Sequence, residues 1–126
     1  MNLEEMQAAF DEAEAWGKPT ACHVMGSVAI ERVIKAGVHI LEHGQYVTPV
    51  LAKEMVTRGV YFTPTLGSYD IQTMHPRFRR GERWSKAHEV LIPAHQRAID
   101  AACRSEVQAV TTFRPAGAAG ARSHGP

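Results

Sequence analysis

The sequence is poor in cysteine. Cys22 and Cys103 stand 81 positions apart in a chain of 126 residues, which gives neither a disulfide framework nor a Cys-x-x-Cys metal motif. A reduced compartment is the expectation, and Cys22 reads as a small apolar residue packed outward against helices. Long apolar runs are also lacking. None approaches the roughly 20 residues of a membrane-spanning helix. No charged-then-apolar leader opens the chain, so the expected location is cytoplasmic rather than secreted. Charge of one sign is not in excess, with 14 basic against 13 acidic side chains. That excludes the electrostatic footprint of a nucleic-acid or membrane-surface partner. The cluster of Arg77, Arg79, Arg80 and Arg83 is too short to change this.

Against these absences stands one informative stretch, residues 21–44, reading ACHVMGSVAIERVIKAGVHILEHG. His23 and His43 each close a short apolar run. Between them, Ser27 is a good helix N-cap, and Val28, Ile30, Val33 and Ile34 recur as one apolar stripe. Gly37 suits the position just past a helix. Strand, helix, strand is a βαβ unit, whose two strands run parallel. In the first strand, 19–24, alternation puts Ala21 and His23 on one face. In the second, 38–43, it puts His39, Leu41 and His43 on one face and Val38, Ile40 and Glu42 on the other. Neighbouring strands lie ~5 Å apart and a Zn–N bond is about 2 Å, so one ion is within reach of both imidazoles. A single histidine beside an apolar strand is more often hydrogen-bonded than metal-bound. Two at matching strand ends, one αβ repeat apart, strengthen the metal reading.

The rest of the chain repeats the same grammar. Asn2 with Glu5 three residues on is a capping-box start for a helix that carries Leu3, Met6, Phe10 and Ala13 on one stripe and ends at Gly17. After the loop Gly44-Gln45-Tyr46-Val47, Thr48-Pro49 predicts a helix start. Leu51, Met55 and Val56 form its stripe, Gly59 stops it, and a strand over 60–63 follows. Residues 66–83 are irregular and long, a size of loop that carries function or disorder; either Tyr69, Asp70, His75 and Arg77 there face a substrate, or the loop is an excursion with no direct role. A helix is expected over 85–105, with Val90, Leu91, Ala94, Ala98 and Ala101 as its stripe. Pro93 predicts a kink or short break in it. His88 and His95, seven apart and without an acidic partner at helical spacing, read as exposed. Residues 107–110 form a weak strand, and 111–126, rich in Ala, Gly, Arg and Pro, read as a disordered tail.

The ordered words Ala21-Cys22-His23, Ala36-Gly37-Val38, Leu41-Glu42-His43-Gly44, Gly59-Val60 and Pro64-Thr65-Leu66 resemble the metal-dependent amidohydrolase superfamily, in its imidazolonepropionase-like and Xaa-Pro dipeptidase-like branch. The resemblance runs over roughly residues 3–102. It implies an α/β fold, a partial (β/α)8 TIM barrel with the equivalents of strands five, six and seven and their helices. Residues 1–106 would be that partial barrel and 107–126 the tail. A complete barrel takes ~250 residues, so the chain holds about half of one. The resemblance further implies His23 and His43 as metal ligands, with Zn2+ the first choice of divalent ion and one or two ions in a complete enzyme. It implies a small-molecule substrate, met by Tyr46, Tyr69 and His75. The reaction implied is hydrolysis of an amide or cyclic-amide C–N bond by metal-activated water.

Parts of the family's pattern have no counterpart here. They are a His-x-His pair from strand one, a metal-bridging lysine or glutamate from strand four, and an aspartate after the last helix that binds metal and moves the proton. Asp100 is the last aspartate, and it falls inside that helix. The tail is therefore expected to come from a shifted reading frame or an early truncation. No residue of the chain is assigned as catalytic, and little or no hydrolase activity is expected from it alone. Unpaired strand edges predict self-association or a complementary chain. A reading of another class is a non-catalytic α/β module that binds a partner or small ligand and only echoes the barrel repeat.

Overall fold

A computed structural model describes residues 1–66 and 82–109, and their side chains except over 82–88. Tyr69, Asp70, His75, the arginine cluster, the side chain of His88 and the tail beyond 109 lie outside it. In order the elements are α1 (Leu3–Ala15), β1 (Ala21–Val24), α2 (Ser27–Ala36), β2 (Ile40–His43), α3 (Pro49–Arg58), β3 (Tyr61–Thr63) and α4 (Glu82–Arg104). The strands form one parallel sheet in the order β1-β2-β3. The βαβ unit is thus used twice, sharing β2. Among the described residues no helix is long and apolar enough to cross a membrane.

Local chemistry starts and stops the helices. At α1 the Glu5 amide donates to Asn2 Oδ1 (2.8 Å) and the Asn2 amide donates to Glu5 Oε2 (2.7 Å), a complete capping box. At α3 the Leu51 amide donates to Thr48 Oγ1 (3.3 Å), with Pro49 in the first turn. Gly37 and Gly59 close α2 and α3 in the left-handed conformation. The start of α2 differs from the expectation. Gly26 is its cap, Ser27 lies inside the helix, and no side chain caps it; the Gly26 carbonyl accepts from the Ile30 amide instead. Val28 also leaves the expected stripe and is 69% exposed. It sits two positions from Ile30, about 200° round the helix, whereas Ile30, Val33 and Ile34 share the buried side. On α3, Ala52 joins Leu51 and Met55 in the core and Val56 is exposed.

α4 runs unbroken through Pro93, without the expected break. Pro93 and Glu89 are both exposed, so the Glu89 carbonyl, which loses its helical partner, faces water that can bond it. The buried side of α4 is built from alanines, Ala94, Ala98, Ala101 and Ala102, together with His95. His95 is 1% exposed, which corrects the reading that set it at the surface.

The sheet separates the core from a bare face. Cys22, Val24, Leu41 and Phe62 pack with Ile30, Ile34, Met55 and the helices. On the other face Ala21, His23 and Tyr61 are exposed. The strands are shorter than expected, and at their entrances His39 and Thr20 bond each other through side chains. The Thr20 amide donates to His39 Nδ1 (3.2 Å) and the His39 amide donates to Thr20 Oγ1 (3.3 Å). Beyond β3 the Phe62 amide donates to the Gln108 carbonyl (2.9 Å), Ala109 bridges Phe62 in parallel, and Val107 packs on the core.

Gly44 is where packing is tightest. It has φ +52, and a Cβ there would lie 2.6 Å from Leu41 Cδ2 and 2.6 Å from Phe62 Cε2. Gly37 is also left-handed, but a Cβ there meets nothing within 4 Å. Gly37→Ala is therefore expected to cost only the backbone penalty of about 1–2 kcal/mol. Gly44→Ala adds overpacking of roughly 1–3 kcal/mol to the same penalty. Urea unfolding of the two variants checks the order; equal costs would contradict the packing at Gly44.

Candidate metal centre

The register of β1 and β2 sets His23 opposite Glu42 and Val24 opposite His43. Partners across parallel strands share a face, and successive residues alternate. Strict pleating would therefore send His23 to the bare face and His43 beneath the helices with Val24. The two rings meet nonetheless. Their centroids are 4.3 Å apart with the planes at 74°, edge to face. The cause is the backbone of His43, with φ +70. The Gly44 amide donates to the Glu42 carbonyl (3.0 Å) and to the Val24 carbonyl (2.9 Å), closing a three-residue turn around His43. The turn ends the pleat and swings the imidazole toward His23. The expectation that His43 shares a face with Leu41 is corrected: Leu41 is fully buried beneath the helices, while His43 is half-buried beside an exposed His23. A non-glycine residue in this conformation costs of order 1–3 kcal/mol and persists only where its surroundings enforce it.

A second unusual turn lies next to the first. Thr65 has φ +54, rare for a β-branched residue, and its Oγ1 is 2.5 Å from His43 Nδ1. Beneath both turns sits His95, its ring buried against the backbone of His43 and of Pro64. The ends of β2 and β3 and the middle of α4 thus converge. Sequence reasoning paired His95 with His88 and missed it. The signal was there: His95 lies three and seven positions before Ala98 and Ala102, on their buried stripe.

Tyr46 is 39% exposed. It lines a cavity of about 380 Å³ with Thr48, Arg97 and Arg104, a lining that includes neither histidine of the pair. Tyr69 and His75 fall outside the described residues.

Burial holds the His43 imidazole below the usual histidine range, and the neighbouring His23 pushes the same way against Glu42. A neutral ring is the form that binds metal. Burial likewise lowers His95, against support from backbone hydrogen bonds. The Cys22 thiol is pushed up by burial and by Glu42, so it stays protonated at neutral pH. Two imidazoles in contact suit zinc and several other divalent ions in donor type. They fall short in number, since a catalytic zinc takes three protein ligands. Among the described residues no group of three His, Cys, Asp or Glu side chains is placed to hold an ion.

Both lowered histidines carry a consequence for stability. Their unfolded pKa is about 6.5 and their folded values lie lower. The unfolded chain therefore binds more protons once pH falls through about 6.5, and stability falls with it. The urea midpoint should drop between pH 7.5 and pH 5.5, and the drop should be smaller in His95→Gln. An equal drop in the variant would remove His95 from the account.

Comparison by sequence with protein-family models and with curated proteins gives no match. Comparison of structure does. A prolidase solved with N-methylphosphonate-L-proline is 25% identical with a TM-score of 0.76, over 86% of this chain and 27% of that one. Ochratoxinase from A. niger is 22% identical with a TM-score of 0.80, over 88% of this chain and 25% of that one. A Xaa-Pro dipeptidase with methionine in its active site is 22% identical with a TM-score of 0.74, over 88% and 28%. The chain is similar in structure to amidohydrolase-type proteins, the superfamily its sequence words resemble, and spans about a quarter of their length.

Proposed function

We propose that the chain is a portion of a metal-dependent amidohydrolase that cleaves an amide or cyclic-amide C–N bond of a small molecule. His23 and His43 are two of its metal ligands. The observation that carries this reading is the contact of the two imidazoles, brought together at the carboxyl end of adjacent parallel strands by a strained turn. Active sites of barrel enzymes lie at that end. Three parallel strands with helices on one side fit a sector of a (β/α)8 barrel, and the bare face would then be the barrel interior. The prolidase and the Xaa-Pro dipeptidase among the structural neighbours support the class of bond.

A divalent ion, Zn2+ by donor type, would supply activation of water and polarisation of the substrate carbonyl. The chain's own part is to present two imidazoles on a rigid sheet. Tyr46 from the loop after β2, with Tyr69 and His75, would contribute to the substrate surface. None of these residues moves the proton. Loss of a proton-transfer group alone costs a factor on the order of 10²–10⁴ in rate, and the ligand set is incomplete, so the chain by itself is inactive. The bare sheet face and the outer edge of β1 would be covered by further strands, from a complementary chain or a second copy.

Zinc binding tests the reading. The wild-type chain should bind about one equivalent weakly in a competition titration with a chromophoric chelator. His23→Ala and His43→Ala should each abolish that binding, and binding that survives both would sink the assignment. Incubation of the purified chain with zinc and acyl-proline dipeptides should show no turnover above the metal alone; robust cleavage would contradict the incomplete site.

A further inference from the structure

An imidazole serves a metal through one ring nitrogen while the other is held by a partner that chooses the tautomer. We propose that Thr65 is a positioning residue for His43: its hydroxyl accepts the Nδ1 proton and so leaves the Nε2 lone pair free for a metal. The metal half of this statement rests on the reading of His43 as a ligand; the tautomer half does not.

Several observations converge on it. Thr65 Oγ1 is 2.5 Å from His43 Nδ1, a close bond between residues 22 apart in sequence. Both residues occupy the left-handed region, at φ +54 and φ +70, which is uncommon for any residue but glycine and an outlier for a β-branched threonine. The hydrogen bond therefore joins the two most unusual backbone positions of the sheet's carboxyl end. The framework around them is fixed. The turn at His43 is closed by the Gly44 amide on the Glu42 and Val24 carbonyls. His95, buried in α4, packs against the backbone of both His43 and Pro64.

His39 offers an internal contrast. Its Nδ1 lies 2.9 Å from the Thr20 hydroxyl and also receives the Thr20 amide proton (3.2 Å), and an amide can only donate. The neutral His39 ring must therefore carry its proton on Nε2. The partner of His43 Nδ1 is a hydroxyl, which both accepts and donates. That freedom is what lets Thr65 take the proton and hold the tautomer a metal ligand needs.

Long-range 1H–15N NMR of the imidazoles, in the metal-free chain at about pH 8, reads the tautomers directly. His43 should carry its proton on Nδ1, and His39 on Nε2. Thr65→Val keeps the side-chain shape without the hydroxyl and should move His43 toward the Nε2-protonated form; Thr65→Ser should retain the wild-type pattern. Zinc affinity should fall roughly 10–100-fold in Thr65→Val and be restored in Thr65→Ser. A wild-type His43 protonated on Nε2 would overturn the inference, and so would an unchanged pattern in Thr65→Val. Should the valine variant not fold, the wild-type spectrum still decides. If no form binds zinc while the tautomers behave as stated, the metal reading fails and the role of Thr65 in choosing the tautomer stands.

Discussion

The left-handed turn at His43 and Gly44 is the constraint on which the rest depends. A pleated strand in the observed register would hold its last histidine under the helices, out of reach of its neighbour. The turn reverses that, and it exists because Gly44 has no side chain. Leu41 and Phe62 press against the space a Cβ would fill. The two residues that anchor the centre of the core are thus the two that demand glycine beside His43. Core packing and site geometry are one feature seen from opposite faces of the sheet.

Strain here is concentrated rather than spread. Among the described residues, non-glycine positions with positive φ are His43, Thr65 and Glu106, and the first two are joined by a side-chain hydrogen bond. Strained residues cluster where geometry is held for a purpose, and the inference runs from the outlier to the purpose. Both sit at strand ends, where the pleat is free to break without cost to the ladder behind. His95 is the common support. A buried histidine on an alanine-rich helix face is an expensive choice for a core position unless its ring is satisfied, and this ring lies against the backbone of both turns.

Among the described residues, helices cover one side of the sheet, and Ala21, His23 and Tyr61 are exposed on the other. Parallel sheets are ordinarily buried on both sides, and the structural neighbours are roughly four times longer than the stretch this chain matches. The paired imidazoles are donors of a kind that suits a divalent ion, and among the described residues no third donor joins them.

The sequence by itself determined whatever depends on near neighbours along the chain. The capping box at Asn2 and Glu5, the Thr48-Pro49 start, the glycine stops at Gly37 and Gly59 and the βαβ order were all legible, because caps and apolar periodicity act within a turn or two. Only the tertiary structure decided what depends on distant partners. The one-residue offset between His23 and His43, the reversal of the His43 side chain and the burial of His95 all follow from contacts made across the sheet or between sheet and helix. A one-residue change of register exchanges the faces of a strand, and no local pattern carries that information. Packing against Leu41 and Phe62 does.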